Sequence, residues 1–176
     1  MNWQEFKPTI FFLLKFLGLY ISLNLLYGFY VTSFEPAPDP VTRIVSQNTA
    51  RILSAIGWPS TATNYAQKPS VAIIHQAKTI VSVYEGCNSL NVMIVFLAFV
   101  FSFGQIRKSL LWFVPLGLAF LYVINITRIA LLFLVSLKLP HFLYFSHKYL
   151  FTAIIYLFVM LLWIYWIRLQ SKSKPS

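Results

Sequence analysis

The chain has 176 residues, of which 59% are hydrophobic, 18% aromatic and 10% charged, with a formal net charge of +10. A mean hydropathy of +0.72 lies outside the range of water-soluble domains, and the composition excludes a disordered chain, a collagen-like repeat and a disulfide scaffold. The basic excess does not form a nucleic-acid patch, because Lys and Arg fall at the ends of apolar runs, where they anchor helices to headgroups and set orientation.

The first apolar run covers about 8–31, broken only by Lys15, Ser22 and Asn24. It is longer than a signal-peptide core and no small-x-small cleavage site directly follows, so it reads as a retained span. An external segment, 32–86, comes next. In it Asp39 is placed to cap a helix whose first residue is Pro40, and Val41, Ile44, Val45, Ile52 and Ile56 recur at helical spacing. This predicts a helix lying on the membrane surface, ended by Gly57-Trp58-Pro59. After a polar stretch through Gln67-Lys68-Pro69-Ser70, residues 71–74 and 79–84 read as two strands flanking His75-Gln76-Ala77-Lys78, a hairpin that delivers the chain to Cys87. Apolar runs over about 88–103, 110–137 and 149–167 complete the expected architecture. It is a single all-α membrane domain, a four-span helix bundle whose external segment holds an interfacial helix and a short β-hairpin.

Orientation follows from the basic residues near span ends. These are Lys7 and Lys15, then Arg107 and Lys108 between spans two and three, then Arg168, Lys172 and Lys174. Those places are expected to be cytoplasmic, with both termini inside. Arg43, Arg51, Lys68 and Lys78 lie in a long segment that translocates largely regardless of charge. Lys138 and Lys148 bound a short connection on the side read as external.

Three side chains carry the candidate chemistry. Cys87, the one cysteine, stands in Tyr84-Glu85-Gly86-Cys87-Asn88-Ser89-Leu90-Asn91, where a strand passes through glycine into a helix start. Backbone N–H groups at a helix N-terminus favour the thiolate, which is the nucleophile. Arg128, in Asn125-Ile126-Thr127-Arg128-Ile129, lies in an apolar run where insertion of a guanidinium costs about 2.5–3.5 kcal/mol and demands compensation. The third, His147, precedes the last span; His141 on the same connection and His75, expected at a water-exposed hairpin turn, are its competitors. Counted from the cytoplasmic turn, Cys87 lies 17 residues from Gly104 and Arg128 lies 19 from Ser109. At 1.5 Å per residue both reach about 26–29 Å, close to the hydrocarbon thickness of about 30 Å. His147, 21 residues before Arg168, arrives at about 32 Å on the same reckoning.

Such a group suits acyl transfer, with Cys87 as nucleophile, His147 as general base and acid, and Arg128 stabilising the thiolate or the oxyanion. Glu85, Asn88 and Asn125 are candidate orienting partners. The cysteine and the dispersed histidines have no metal-ligand spacing, and no cofactor is expected.

Glu85-Gly86-Cys87 opening a span, Asn125-Ile126-Thr127-Arg128-Ile129 about forty residues later and His147 before the last span resemble the exosortase/archaeosortase family over roughly residues 83 to 165. Many members of that family have Ala before and Ser-Gly after the cysteine, where Gly86, Asn88 and Ser89 stand here. The resemblance implies a compact bacterial cysteine peptidase or transpeptidase of the cytoplasmic membrane. It also implies exported protein substrates carrying a C-terminal signal made of a short motif, a transmembrane helix and a basic tail, cleaved near the outer face. The alternative from the residues alone is a small membrane scaffold or transporter subunit in which Arg128 binds an anion or lipid. A haem or redox protein ranks last, since His141 and His147 are six apart and do not share a helix face.

Overall fold

The computed structural model describes residues 3–65, 68–103 and 108–172. Helix α1 (Trp3–Thr32) is followed by α2 (Pro40–Ala55), the strands β1 (Thr61–Asn64), β2 (Ser70–His75) and β3 (Lys78–Tyr84), a 3-10 turn (Glu85–Cys87), α3 (Leu90–Ser102) and α4 (Lys108–Lys138). A second 3-10 turn (Pro140–Phe142), one α-turn, α5 (Leu143–Phe145), a π-turn (Ser146–Leu150) and α6 (Phe151–Lys172) complete the chain.

Three helices are long and apolar enough to cross a membrane: Phe6–Thr32, Lys108–Lys138 and the helical stretch Pro140–Ser171. The run expected as a second span forms α3, which has 13 residues and falls short of the roughly 20 a span ordinarily needs. The connection expected over Lys138 to Lys148 is itself helical and merges with the last span, so His147 lies inside a π-turn and not ahead of the helix. Arg107, Gly104, Lys174 and Gln67 lie outside the described residues.

The Asp39-Pro40 signal works as expected. The Asp39 carboxylate accepts from the N–H groups of Val41 and Thr42 at 2.9 and 3.0 Å, and α2 begins at Pro40. The buried face of α2, however, packs inward: Val45, Ala50 and Leu53 join Ile73 and Val83 of the sheet and Ile129, Ala130 and Phe133 of α4 in one core. The expected hairpin exists, closed by Gln76 and Ala77, both in the left-handed region at φ 49° and 61°, the geometry of a two-residue hairpin turn. The sheet has a third strand, however. β1 pairs antiparallel with β2 from Thr61↔Ile74 to Asn64↔Val71, giving the order β1-β2-β3. Thr-Ala-Thr-Asn shows no apolar alternation, so only its partner reveals it as a strand.

α4 belongs to two cores. Its C-terminal half packs under α2 and the sheet, while Phe113 and Leu121 of its N-terminal half meet Phe96 and Val100 of α3 and Val159 and Trp166 of α6. α1 leans on α3 through Phe12, whose ring meets Phe99 and Phe103 edge-on at 5.7 and 5.9 Å, and leaves Phe11, Leu14, Leu25, Leu26 and Phe29 exposed, as a lipid-facing surface requires.

Candidate active site

The site is built on the turn between β3 and α3. β3 ends at Tyr84, the 3-10 turn carries Cys87 inward, and Ser89, in the left-handed conformation at φ 69°, redirects the chain into α3. Three other elements hold this turn. From α1, the Tyr27 hydroxyl donates to the Glu85 carbonyl at 2.9 Å. From α2, the Thr42 hydroxyl donates to Asp39 and accepts from the Asn88 amide at 3.1 Å, while Asn88 Nδ2 also reaches Tyr27 at 3.2 Å. From α4, Asn125 Nδ2 donates to the Cys87 carbonyl at 2.8 Å. The Asn88 Oδ1 accepts from the Leu90 N–H at 2.9 Å and so starts α3. Of the candidate orienting residues, Asn88 and Asn125 fix the turn through their side chains, whereas Glu85 enters through its main-chain carbonyl.

Cys87 and His147 meet. The cysteine Sγ lies 3.7 Å from the imidazole Nε2, a contact across 60 residues, with His147 held in the π-turn Ser146–Leu150. A π-turn inside a helix is a frequent mark of a functional position, since the extra residue re-aims one side chain. Arg128, one helical turn beyond Asn125, is half-buried; its charge acts on both Cys87 and His147, and its Nε is buried with no hydrogen-bond partner among the described residues. Ser89 Oγ and Asn125 Oδ1 are likewise buried and unpartnered, so three polar atoms around the Cys87 turn stand unsatisfied, a concentration that ordinary cores avoid.

The thiol differs from expectation in its resting state. Cys87 is 6% exposed, and burial pushes its pKa above the ordinary thiol value; the Arg128 charge and the neighbouring Tyr84 pull the other way without reversing the sign. A three-residue 3-10 turn offers little of the aligned dipole that a helix start provides, and desolvation of the anion prevails. The resting group is therefore a thiol with an imidazole beside it.

The other histidines stay apart. His75 is buried, not displayed to water: its Nδ1 lies 2.7 Å from the Pro59 carbonyl and its ring packs edge-on against Trp58 and Phe133. His141 is exposed beside Phe142. Among the described residues no group of three or more His, Cys, Asp or Glu side chains gathers where a metal ion could be held.

In comparisons with known proteins, no family model, curated protein or solved structure matches this chain.

Tyr84 belongs to the site although nothing in the sequence singled it out. Its phenol is near enough for the Cys87 charge, together with burial, to raise its pKa, and for Tyr84 in turn to draw the thiol's pKa down. Gly86 makes this possible. A Cβ there would lie 2.5 Å from Cε2 of the Tyr84 ring, so the ring folds back over bare backbone. The signal available in the sequence was a glycine two residues after a tyrosine and directly before the cysteine. Because the ring is exposed and free to swing outward, Gly86→Ala should leave the protein folded yet displace the phenol. We expect Gly86→Ala and Tyr84→Phe each to slow alkylation of Cys87 by about tenfold, the worth of one hydrogen bond to a charged group, and the double variant to be no slower than either. Rate measurements that simply multiply would show the two residues acting separately.

Proposed function

We propose that this chain is a membrane-embedded cysteine peptidase or transpeptidase of the exosortase type, acting on the C-terminal sorting signals of exported proteins. The observation that carries the reading is the 3.7 Å approach of Cys87 Sγ to His147 Nε2, within reach of the Arg128 charge. In this reading the four helices α1, α3, α4 and α6 cross a bacterial cytoplasmic membrane. The exposed basic residues Lys7, Lys108 and Arg168 mark the cytoplasmic side, with both termini inside, and the cysteine turn faces outward.

The chemistry runs as follows. His147 Nε2 takes the thiol proton as Cys87 Sγ attacks the scissile carbonyl carbon, forming a C–S bond and leaving negative charge on the carbonyl oxygen. Arg128 Nε and Ser89 Oγ are buried donors without partners, suited to that oxyanion. Collapse of the intermediate breaks the C–N bond, and the imidazolium returns its proton to the leaving amine. An amine or water then attacks the thioester, restoring the thiol and releasing the acyl group as an amide or an acid.

Cys87→Ala tests this. In membranes holding normal amounts of the variant, an exported protein with a C-terminal helix and basic tail should remain uncleaved. A second reading, a non-enzymatic scaffold or transporter subunit with Arg128 as an anion or lipid site, is favoured by one feature: Arg128 lines an apolar cavity of about 190 Å³ with Phe151 and Ile155, a space that suits a lipid chain lying against the arginine. That reading predicts Cys87→Ala to be silent and Arg128→Ala to abolish function, so the pair of variants separates the two.

A further inference from the structure

β3 is an edge strand. The sheet order is β1-β2-β3, and among the described residues no backbone–backbone hydrogen bond joins β3 to any element but β2. At the hairpin end α4 covers the edge, where the Ser136 hydroxyl donates to the Ile80 carbonyl at 3.1 Å. Beyond Ile80 the edge opens on a cleft of about 460 Å³, a ligand-sized volume. One wall is Val81 and Ser82 of β3; the other is Leu132 of α4 with Leu143, Tyr144 and His147 beyond it. His147 therefore belongs both to this wall and to the pair with Cys87.

The direction of the backbone decides what fits there. Ser70, the partner of Tyr84, turns its carbonyl to the Tyr65 N–H on the β1 side, so Ser70 and Tyr84 form a non-hydrogen-bonded pair and the Tyr84 N–H and C=O face away from β2. Alternate residues of an antiparallel strand point their N–H and C=O groups to the same side, so Ser82, two residues earlier, presents its own pair outward along the same edge. A lipid tail fills apolar space but cannot satisfy a row of main-chain donors and acceptors. An extended polypeptide does both, pairing with the edge while alternate side chains enter the apolar cleft.

We infer that the free edge of β3 from Ser82 to Tyr84 receives the substrate as an added antiparallel or parallel strand, with an apolar side chain in the cleft and the scissile carbonyl delivered to Cys87. This rests on the peptidase reading above and specifies its substrate as a segment that is extended, not helical, at the cleavage point.

The test uses the purified full-length chain and two reagents for Cys87, with adduct formation followed by mass spectrometry. One is acetyl-Val-Val-Ala chloromethyl ketone, whose C–Cl bond is displaced by the sulfur; the other is iodoacetamide, which has no peptide to dock. The peptidyl reagent should show an advantage over iodoacetamide that exceeds its advantage toward a small free thiol by about tenfold or more. Ser82→Pro, which deletes the outward N–H, should remove about tenfold of that advantage while the iodoacetamide rate stays within about twofold; Ser82→Ala, which keeps the N–H, should change neither. A readout on the unaltered protein guards against misfolding of the proline variant. Among probes N-methylated at successive amides, alternate positions should lose the advantage and those between should keep it. An advantage insensitive to Ser82→Pro and to N-methylation, or no advantage at all, overturns strand addition while leaving the nucleophile reading intact. A Cys87 that resists both reagents overturns the two together.

Discussion

On the peptidase reading, Arg128→Ala is expected to lower turnover by about 10²–10³, the loss that follows removal of a single oxyanion donor. The same variant should move a second observable in a defined direction. Burial already holds the Cys87 pKa above the ordinary thiol value, and the guanidinium charge is the largest influence opposing it. Without that charge the pKa rises further, so the midpoint of Cys87 alkylation against pH shifts upward. Arg128→Lys retains the charge without the planar fork and should restore the midpoint more fully than the turnover. If Arg128→Ala leaves the alkylation midpoint where it was, the arginine does not act on the sulfur, and the scaffold reading gains.

The second large effect belongs to His147. His147→Gln should cost about 10²–10⁴ in rate, the usual contribution of a positioned base and acid. Its residual rate should also change shape with pH. A thiol whose pKa is raised is mostly protonated at neutral pH, so without a base the rate depends on the small thiolate fraction, which grows about tenfold per pH unit until the pKa is passed. The variant's rate should therefore climb steeply into alkaline solution where the parent protein's does not. Equal slopes for both would mean that the imidazole does not take the thiol proton, whatever its distance from the sulfur.

Local signals were legible where local chemistry governs. Asp39 before Pro40 set the start of α2, because a carboxylate capping two N–H groups needs only its neighbours. The hairpin was readable from two apolar strands around a short turn, and Cys87 and His147, which the fold brings to 3.7 Å of each other, were both singled out from their positions. Features made by partners from elsewhere in the chain were not. β1 is too short and polar to declare itself, and His75 looks like a turn residue until Trp58 and Phe133 close over it. The thiol's resting state depends on how completely Cys87 is enclosed, which no spacing reveals. The π-turn at Ser146–Leu150 escaped for a related reason: an apolar helical stretch carries no local mark of one extra residue in a turn.

On the peptidase reading, the short length of α3 bears on where a substrate would find the sulfur. Thirteen residues rise about 20 Å, roughly 10 Å less than the acyl-chain layer they would cross. In the four-span arrangement the turn bearing Cys87 makes up that missing depth, sunk into the upper fringe of the lipid beneath the headgroups. A protein tail tethered by its own helix would then meet the sulfur by sliding sideways in the plane of the bilayer, and bulk water, which competes for the thioester, would have to descend to reach it.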